Sequence, residues 1–163
     1  MLRPDHHRVQ SLPRRPYVTT RTHEVFALAL RLAERLGHGD VTDVHIALGL
    51  LQEGRGIAVA ILHSRGVPLD ALARELEAEL PPAGAPRPPA AELSWTPGVE
   101  QVLVGAVAES REFGVEYHGC EHVLLAFLRD PASAPARVLA GHGLVYDEAR
   151  SELTRIQSAR PGA

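Results

Sequence analysis

The chain has 163 residues, a net charge of −3, 45% apolar and only 4% aromatic residues, and a single cysteine, Cys120. That length suits one domain with a real core, and a core of Leu, Val and Ala with few rings favours packed helices over a sheet sandwich. The small charge excludes a global pull toward nucleic acid or anionic membrane, the lone cysteine excludes an internal disulfide, and no apolar run approaches the roughly 18 residues of a membrane span, so a cytoplasmic protein without membrane or nucleic-acid partners is expected.

Residues 1–16 carry Arg3, Arg8, Arg14 and Arg15 against Asp5 alone and are expected to form a disordered basic tail. Thr19 is a good N-cap, and Val25, Leu28, Ala29, Leu32 and Leu36 follow at helical spacing until Gly37 ends the helix. A second helix starts at Thr42 or Asp43 and runs through Ile46, Leu48, Leu50 and Leu51 to the break at Gly54 and Gly56. A third covers Ile57 to about Ser64 and stops at Gly66; Pro68 suits the first turn of a fourth, which ends at Pro81–Pro82. Residues 81–92, with proline at 81, 82, 86, 88 and 89, read as an extended solvated linker. The plan then recurs. Thr96 caps a helix with Pro97 at its first position, and Gly114 closes it. The next helix covers about Cys120 to Arg129, Pro131 and Pro135 bracket a break, and Gly143 ends the third. A fourth spans about Asp147 to Gln157, before a disordered tail at 158–163.

Placing His45 on His122, a shift of 77 residues, pairs Thr19 with Thr96, Val25 with Val102, Ala29 with Ala106, Gly37 with Gly114, Leu48 with Leu125 and Gly66 with Gly143 without a gap. One register held over so long a stretch marks an internal repeat. Each four-helix unit, 17–80 and 93–157, is marginal alone. The two are therefore expected to pack face to face with pseudo-twofold symmetry into one all-α, eight-helix domain over 17–157.

This pattern resembles the Clp N-terminal domain of ClpA- and ClpC-type AAA+ unfoldases, whose repeat has a Phe-Thr-like helix start, a Leu-Gly-His turn and a Gly-Thr-Glu-His-Leu-Leu-Leu-Gly-Leu-Leu helix. The first unit shows Val18–Thr19, Leu36-Gly37-His38, His45-Ile46-Ala47-Leu48-Gly49-Leu50-Leu51 and Gly66-Val67-Pro68-Leu69-Asp70; the second shows Gly119-Cys120-Glu121-His122-Val123-Leu124-Leu125. No Gly-x-x-x-x-Gly-Lys-[Ser/Thr] loop occurs, since all 17 basic residues are arginine. The resemblance therefore implies a free-standing binding domain without a motor: an adaptor, decoy or substrate-capture module, not an enzyme and with no cofactor. Its implied partners are client proteins or peptides, arginine-phosphorylated in some family members, and Clp unfoldase or protease components. Of the family's ligand residues, Glu121 matches the second unit's glutamate, and Thr19 and Thr96 match the helix-start threonines. Val44 stands where the first unit's glutamate belongs, so at most one of two pseudo-symmetric phosphoarginine sites is expected intact, in a cleft near Thr19, Thr96 and Glu121.

Plainer readings stand beside these. Glu121 is also an acid favoured by a helix N-terminus, and both threonines are also ordinary caps. Trp95 is either a hydrophobic staple onto the helix that follows it or an anchor for a bound peptide. His118, Cys120 and His122 look like metal ligands on paper, but Gly119 interrupts them, so no metal is expected; Cys120 has no base suitably placed for nucleophilic chemistry. An interaction module with a partner outside the Clp system, and a small Cys or metal hydrolase, remain as alternatives.

Overall fold

The computed structural model describes residues 17–87 and 93–160. Four helices form the first unit: α1 (Thr20–Arg35), α2 (Asp43–Glu53), α3 (Ile57–Ser64) and α4 (Leu69–Ala78). Four form the second: α5 (Pro97–Glu112), α6 (Cys120–Leu128), α7 (Ala134–Gly141) and α8 (Tyr146–Ser158). Each helix of the second unit starts 77 residues after its counterpart, the shift found in the sequence.

Besides the helices, the described residues form four strands of two residues each: β1 (Tyr17–Val18), β2 (Asp40–Val41), β3 (Ser94–Trp95) and β4 (Tyr117–His118). Two residues are too few for alternation to reveal a strand. Their pairing is informative. The start of the first unit, β1, runs parallel to β4 of the second, and the start of the second, β3, runs parallel to β2 of the first. Each unit thus lends its entry segment to the other, and the two pairs are copies related by the pseudo-twofold.

Within each unit the first helix lies along the second, α1 on α2 and α5 on α6; across units α3 packs on α6 and α8, α4 on α7, and α2 on α5 and α7. Helix α2 is buried without interruption from Val44 to Leu50, and α6 along its whole length. An apolar helix wrapped on all sides is a central one, and α1, with Val25, Ala29, Leu32 and Ala33 buried on one face, is amphipathic as an outer helix must be. Among the described residues no single helix is long and apolar enough to cross a membrane.

Some boundaries differ from the sequence-based expectation. Pro135 lies inside α7 at its second position, where a missing N–H costs nothing, and not in the break before it. Pro68 is the N-cap of α4 and not part of its first turn, and α8 runs one residue past Gln157. The first part of the linker is exposed and without regular structure, yet it is tied down. Gly84 N–H donates to the Leu36 carbonyl at 2.7 Å and Arg87 N–H to the Glu34 carbonyl at 2.8 Å. The linker crosses Gly37 so closely that a Cβ there would stand 2.3 Å from the Ala85 carbonyl oxygen. Both the basic tail at 1–16 and the last three residues of the second tail lie outside the described residues, as does the rest of the linker.

Candidate functional site

The swapped strands make two seams between the units. In the first, Thr19 N–H reaches the His118 carbonyl at 3.4 Å, which sets the start of α1 against the start of α6. Thr19 Oγ1 accepts from Thr22 N–H at 3.2 Å, the N-cap bond expected of it, and lies 2.9 Å from Thr22 Oγ1. The Thr22 hydroxyl lies 3.6 Å from Cys120 Sγ. Burial pushes the Cys120 thiol up to about 11. A thiol so held is protonated at neutral pH, which suits packing and not attack. Glu121, on the first turn of α6, is only 5% exposed, and its carboxylate folds back over Gly119, where a Cβ would stand 2.5 Å from Oε2. Burial raises its pKa, against the opposing pull of its own backbone N–H and the charges of Arg160 and Arg21. Among the described residues Glu121 has no ion-pair partner. A desolvated carboxylate without a partner favours a cationic ligand group with several N–H donors.

Two residues of this seam were not singled out in the sequence. Arg21, in the first turn of α1, lies over Gly56 and bonds Glu53 at 3.3 Å. Tyr17, 64% exposed, stands 6.2 Å from the Tyr117 ring at the mouth of the seam. The signal for Arg21 was present: at a shift of 77 its counterpart is Gly98, the sharpest loss of a side chain between the two helix starts.

The second seam holds different chemistry. Thr96 N–H donates to the Val41 carbonyl at 3.1 Å, but the Thr96 side chain makes no capping bond. Beside it stand buried Val44, in the place of the lost glutamate, and Asp43, whose Oδ1 accepts from Val44 N–H at 2.9 Å. Trp95 is 42% exposed and its ring lies 6.0 Å from Phe26 of α1, across the units. The staple partner on its own helix would be Glu100, which is not apolar, so the ring turns to the other unit instead. The expected single cleft near Thr19, Thr96 and Glu121 is therefore divided: Thr19 and Glu121 share one seam, Thr96 and Trp95 the other.

The repeated histidines are built into the helix starts. His45 Nδ1 accepts from Thr42 N–H at 3.0 Å, and His122 Nδ1 from Gly119 N–H at 3.0 Å, so each imidazole reaches back to the N-cap backbone and fixes the start of its helix. In the first unit His45 Nε2–H then donates to His38 Nδ1 at 3.0 Å, and His38 Nε2–H to the Pro81 carbonyl at 3.1 Å. In the second unit Val115 stands in the place of His38, and His122 Nε2 is left without a partner among the described residues. No three His, Cys, Asp or Glu side chains among the described residues are arranged to hold a metal.

Burial lowers His45 to about 4, with His38 adding to it, and burial lowers His122 to about 4, with His118 adding to it. Unfolded, each titrates near 6.5, so between these values the unfolded chain binds the proton and the folded chain does not. The stability of the neutral imidazoles is then full above about pH 6.5 and is lost as pH falls toward about 4, at up to about 1.4 kcal/mol per pH unit for each histidine. Urea denaturation at about pH 7 and about pH 5 is expected to show the fold markedly weaker at the lower pH. A flat profile would mean that these histidines are solvated.

A family model described as the Clp repeat (R) N-terminal domain matches residues 17–142. The chain is similar to the chaperone protein ClpB of Oceanobacillus iheyensis, 34% identical over 138 residues, which is 85% of this chain and 17% of that protein. It is similar also to the negative regulator of genetic competence ClpC/MecB of Bacillus subtilis, 33% identical over 138 residues, with the same two coverages of 85% and 17%. The chain thus spans about a sixth of the length of these curated relatives. Among solved structures, the Hsp104 N-terminal domain from Candida albicans superposes with a TM-score of 0.72 at 16% identity, over 88% of this chain and 93% of that one, a likeness of fold.

Proposed function

This chain belongs to the Clp repeat N-terminal domain family, and from that membership we propose that it is a non-catalytic module that binds proteins and peptides for the Clp system. In this reading it serves as adaptor, decoy or capture domain toward Clp unfoldase or protease components, and its Glu121 seam takes arginine-phosphorylated segments of client proteins. The observation that carries the reading is the buried carboxylate of Glu121, which has no ion-pair partner among the described residues and lies within the electrostatic reach of Arg160 and Arg21. Phosphoarginine presents both complements. Its guanidinium N–H groups suit the carboxylate, and its phosphate suits Arg21 and the positive ends of α1 and α6. Thr19 supports the site by capping α1, and the Tyr17 and Tyr117 rings give the peptide an apolar edge to lie on.

Calorimetric titration with phosphoarginine, beside arginine and phosphate as controls, tests the reading. The wild-type chain is expected to take up about one equivalent selectively, and Glu121→Gln to lose at least about tenfold in affinity while keeping its melting temperature. Equal affinity in the variant would remove Glu121 from the site. A second reading, an interaction module with a partner outside the Clp system, draws on Val44 replacing the family's other glutamate. No uptake of phosphoarginine by the wild-type chain would favour it.

A further inference from the structure

The two seams are copies in backbone and opposites in charge. In the first, the Arg21 side chain crosses Gly56 with its Cδ 3.0 Å from where a Cβ would stand, and its guanidinium bonds Glu53. Carry each of these residues forward by 77. Arg21 becomes Gly98, Glu53 becomes Asp130, Gly56 becomes Ser133, and Cys120 is matched by Asp43. The acids remain, one is added, and the arginine is gone. At that spot the second seam has a cavity of about 240 Å³ lined by Asp43, Gly98, Gln101, Asp130 and Ser133. Arg129 also reaches it, but its guanidinium is already bonded to Glu109 and Glu112.

Neither acid of this cavity is neutralised. Among the described residues Asp43 and Asp130 form no ion pair. Asp43 accepts from the Val44 N–H at 2.9 Å and Asp130 from the Ala132 N–H at 3.0 Å, and neither carboxylate meets a side-chain donor among the described residues. Next to it along α5 lies a second hollow of about 420 Å³, which shares Gln101, Gly105 and Arg129 with it and is lined further by Pro97, Glu100, Val104 and Ala108. Val104 is 71% exposed. An acid-lined pocket continued by a shallow apolar groove matches an extended segment carrying one basic side chain.

We propose that the second seam binds an unmodified arginine side chain of a partner peptide, its guanidinium taking the place between Asp43 and Asp130 that Arg21 takes against Glu53 in the first seam, with the peptide's flanking apolar residues lying along α5 at Val104 and Ala108. This goes beyond the Glu121 reading and does not depend on it: one seam takes an arginine bearing phosphate, the other an arginine without it. Arginine is favoured over lysine because the side chain that fills the matching place is an arginine and a planar guanidinium can bridge two carboxylates.

The probe is the N-acetylated, C-amidated peptide Ala-Val-Arg-Val-Ala, beside a twin with citrulline, an uncharged isostere, for arginine. Binding to the full chain is followed by amide chemical shifts and calorimetry. The arginine peptide is expected to bind at least about tenfold more tightly than the citrulline twin, with shifts at Gly98, Gln101 and Asp130. Gly98→Arg supplies the missing side chain from within. A Cβ at Gly98 meets nothing nearer than 3.7 Å, so the variant is sterically open. It should abolish peptide binding, and so should Asp43→Asn with Asp130→Asn, whereas Glu121→Gln should leave it intact. Equal binding of the citrulline twin, or full binding by Gly98→Arg or by the double Asn variant, would overturn the proposal. Loss of phosphoarginine uptake in Glu121→Gln with this peptide still bound would separate the two seams.

Discussion

Gly49→Ala is expected to lower the melting temperature by on the order of 5–10 °C, because one methyl group there meets backbone that has no room to move. A Cβ on Gly49 would stand 2.5 Å from the Val25 carbonyl oxygen and 3.2 Å from the Ala29 nitrogen, so α1 and α2 must separate. The buried face of α1 meets α2 at that contact, and Val25 and Ala29 are fully buried there. The second unit reaches the same close approach differently. Ala126 takes the place of Gly49, and Gly105 on α5 makes the room, with a Cβ there 2.9 Å from that of Ala126. Gly105→Ala is thus expected to cost less than Gly49→Ala, because it presses on a methyl group rather than a main chain. Gly141→Ala is the control. Nothing lies within 4 Å of its Cβ, and it sits in helix α7, so no loss is expected. Thermal unfolding of the three variants by circular dichroism gives the order directly.

Glu109→Ala should cost more, about 3–5 kcal/mol, since it breaks a buried charge network from the inside. Glu109 is fully buried on α5 and bonds Arg129, Arg150 at 3.2 Å and the Tyr146 hydroxyl at 2.8 Å. Both arginines also bond Glu112, at 2.8 and 3.0 Å, and Arg150 stacks 4.6 Å over the Phe113 ring. The network ties α5, α6 and α8 together in the second unit only. In the first unit the same places hold Leu32, Gln52, Leu69 and Ala73. The chain therefore carries its own uncharged version of the site. Replacing Glu109, Arg129, Tyr146 and Arg150 together by those four residues is expected to recover most of the stability that Glu109→Ala loses, because no buried charge is then left unpaired. Chemical denaturation of the single and the quadruple variant checks this. A single variant as stable as wild type would mean that the network adds nothing to the fold.

Much of this architecture was legible from one number. The shift of 77 predicted both units, their helix starts and their symmetry, because glycine stops and apolar periodicity are local signals. Hydrogen-bonding partners were less accessible. Thr19 and Glu121 lie about a hundred residues apart in the chain and meet only because β1 pairs with β4, a two-residue contact without periodicity of its own. The fate of Trp95 depended on Phe26 of the other unit, which no helix-local rule selects. Glu109 was hidden for another reason: at the shift of 77 it faces Leu32, and such a polarity change shows that something differs, but not that Arg129, Tyr146 and Arg150 converge on it. The same holds for Arg21 and Gly98, whose mismatch gains meaning only once Arg21 is seen lying over Gly56.

Amide chemical-shift mapping of the full chain with phosphoarginine puts the asymmetry of the two seams to the most direct test. Shifts gathered at Thr19, Arg21, Cys120 and Glu121, with Thr96 and Val44 unmoved, are the expected result. Equal shifts at both seams, or none at Glu121, would contradict the assignment of phosphoarginine to the Glu121 seam alone.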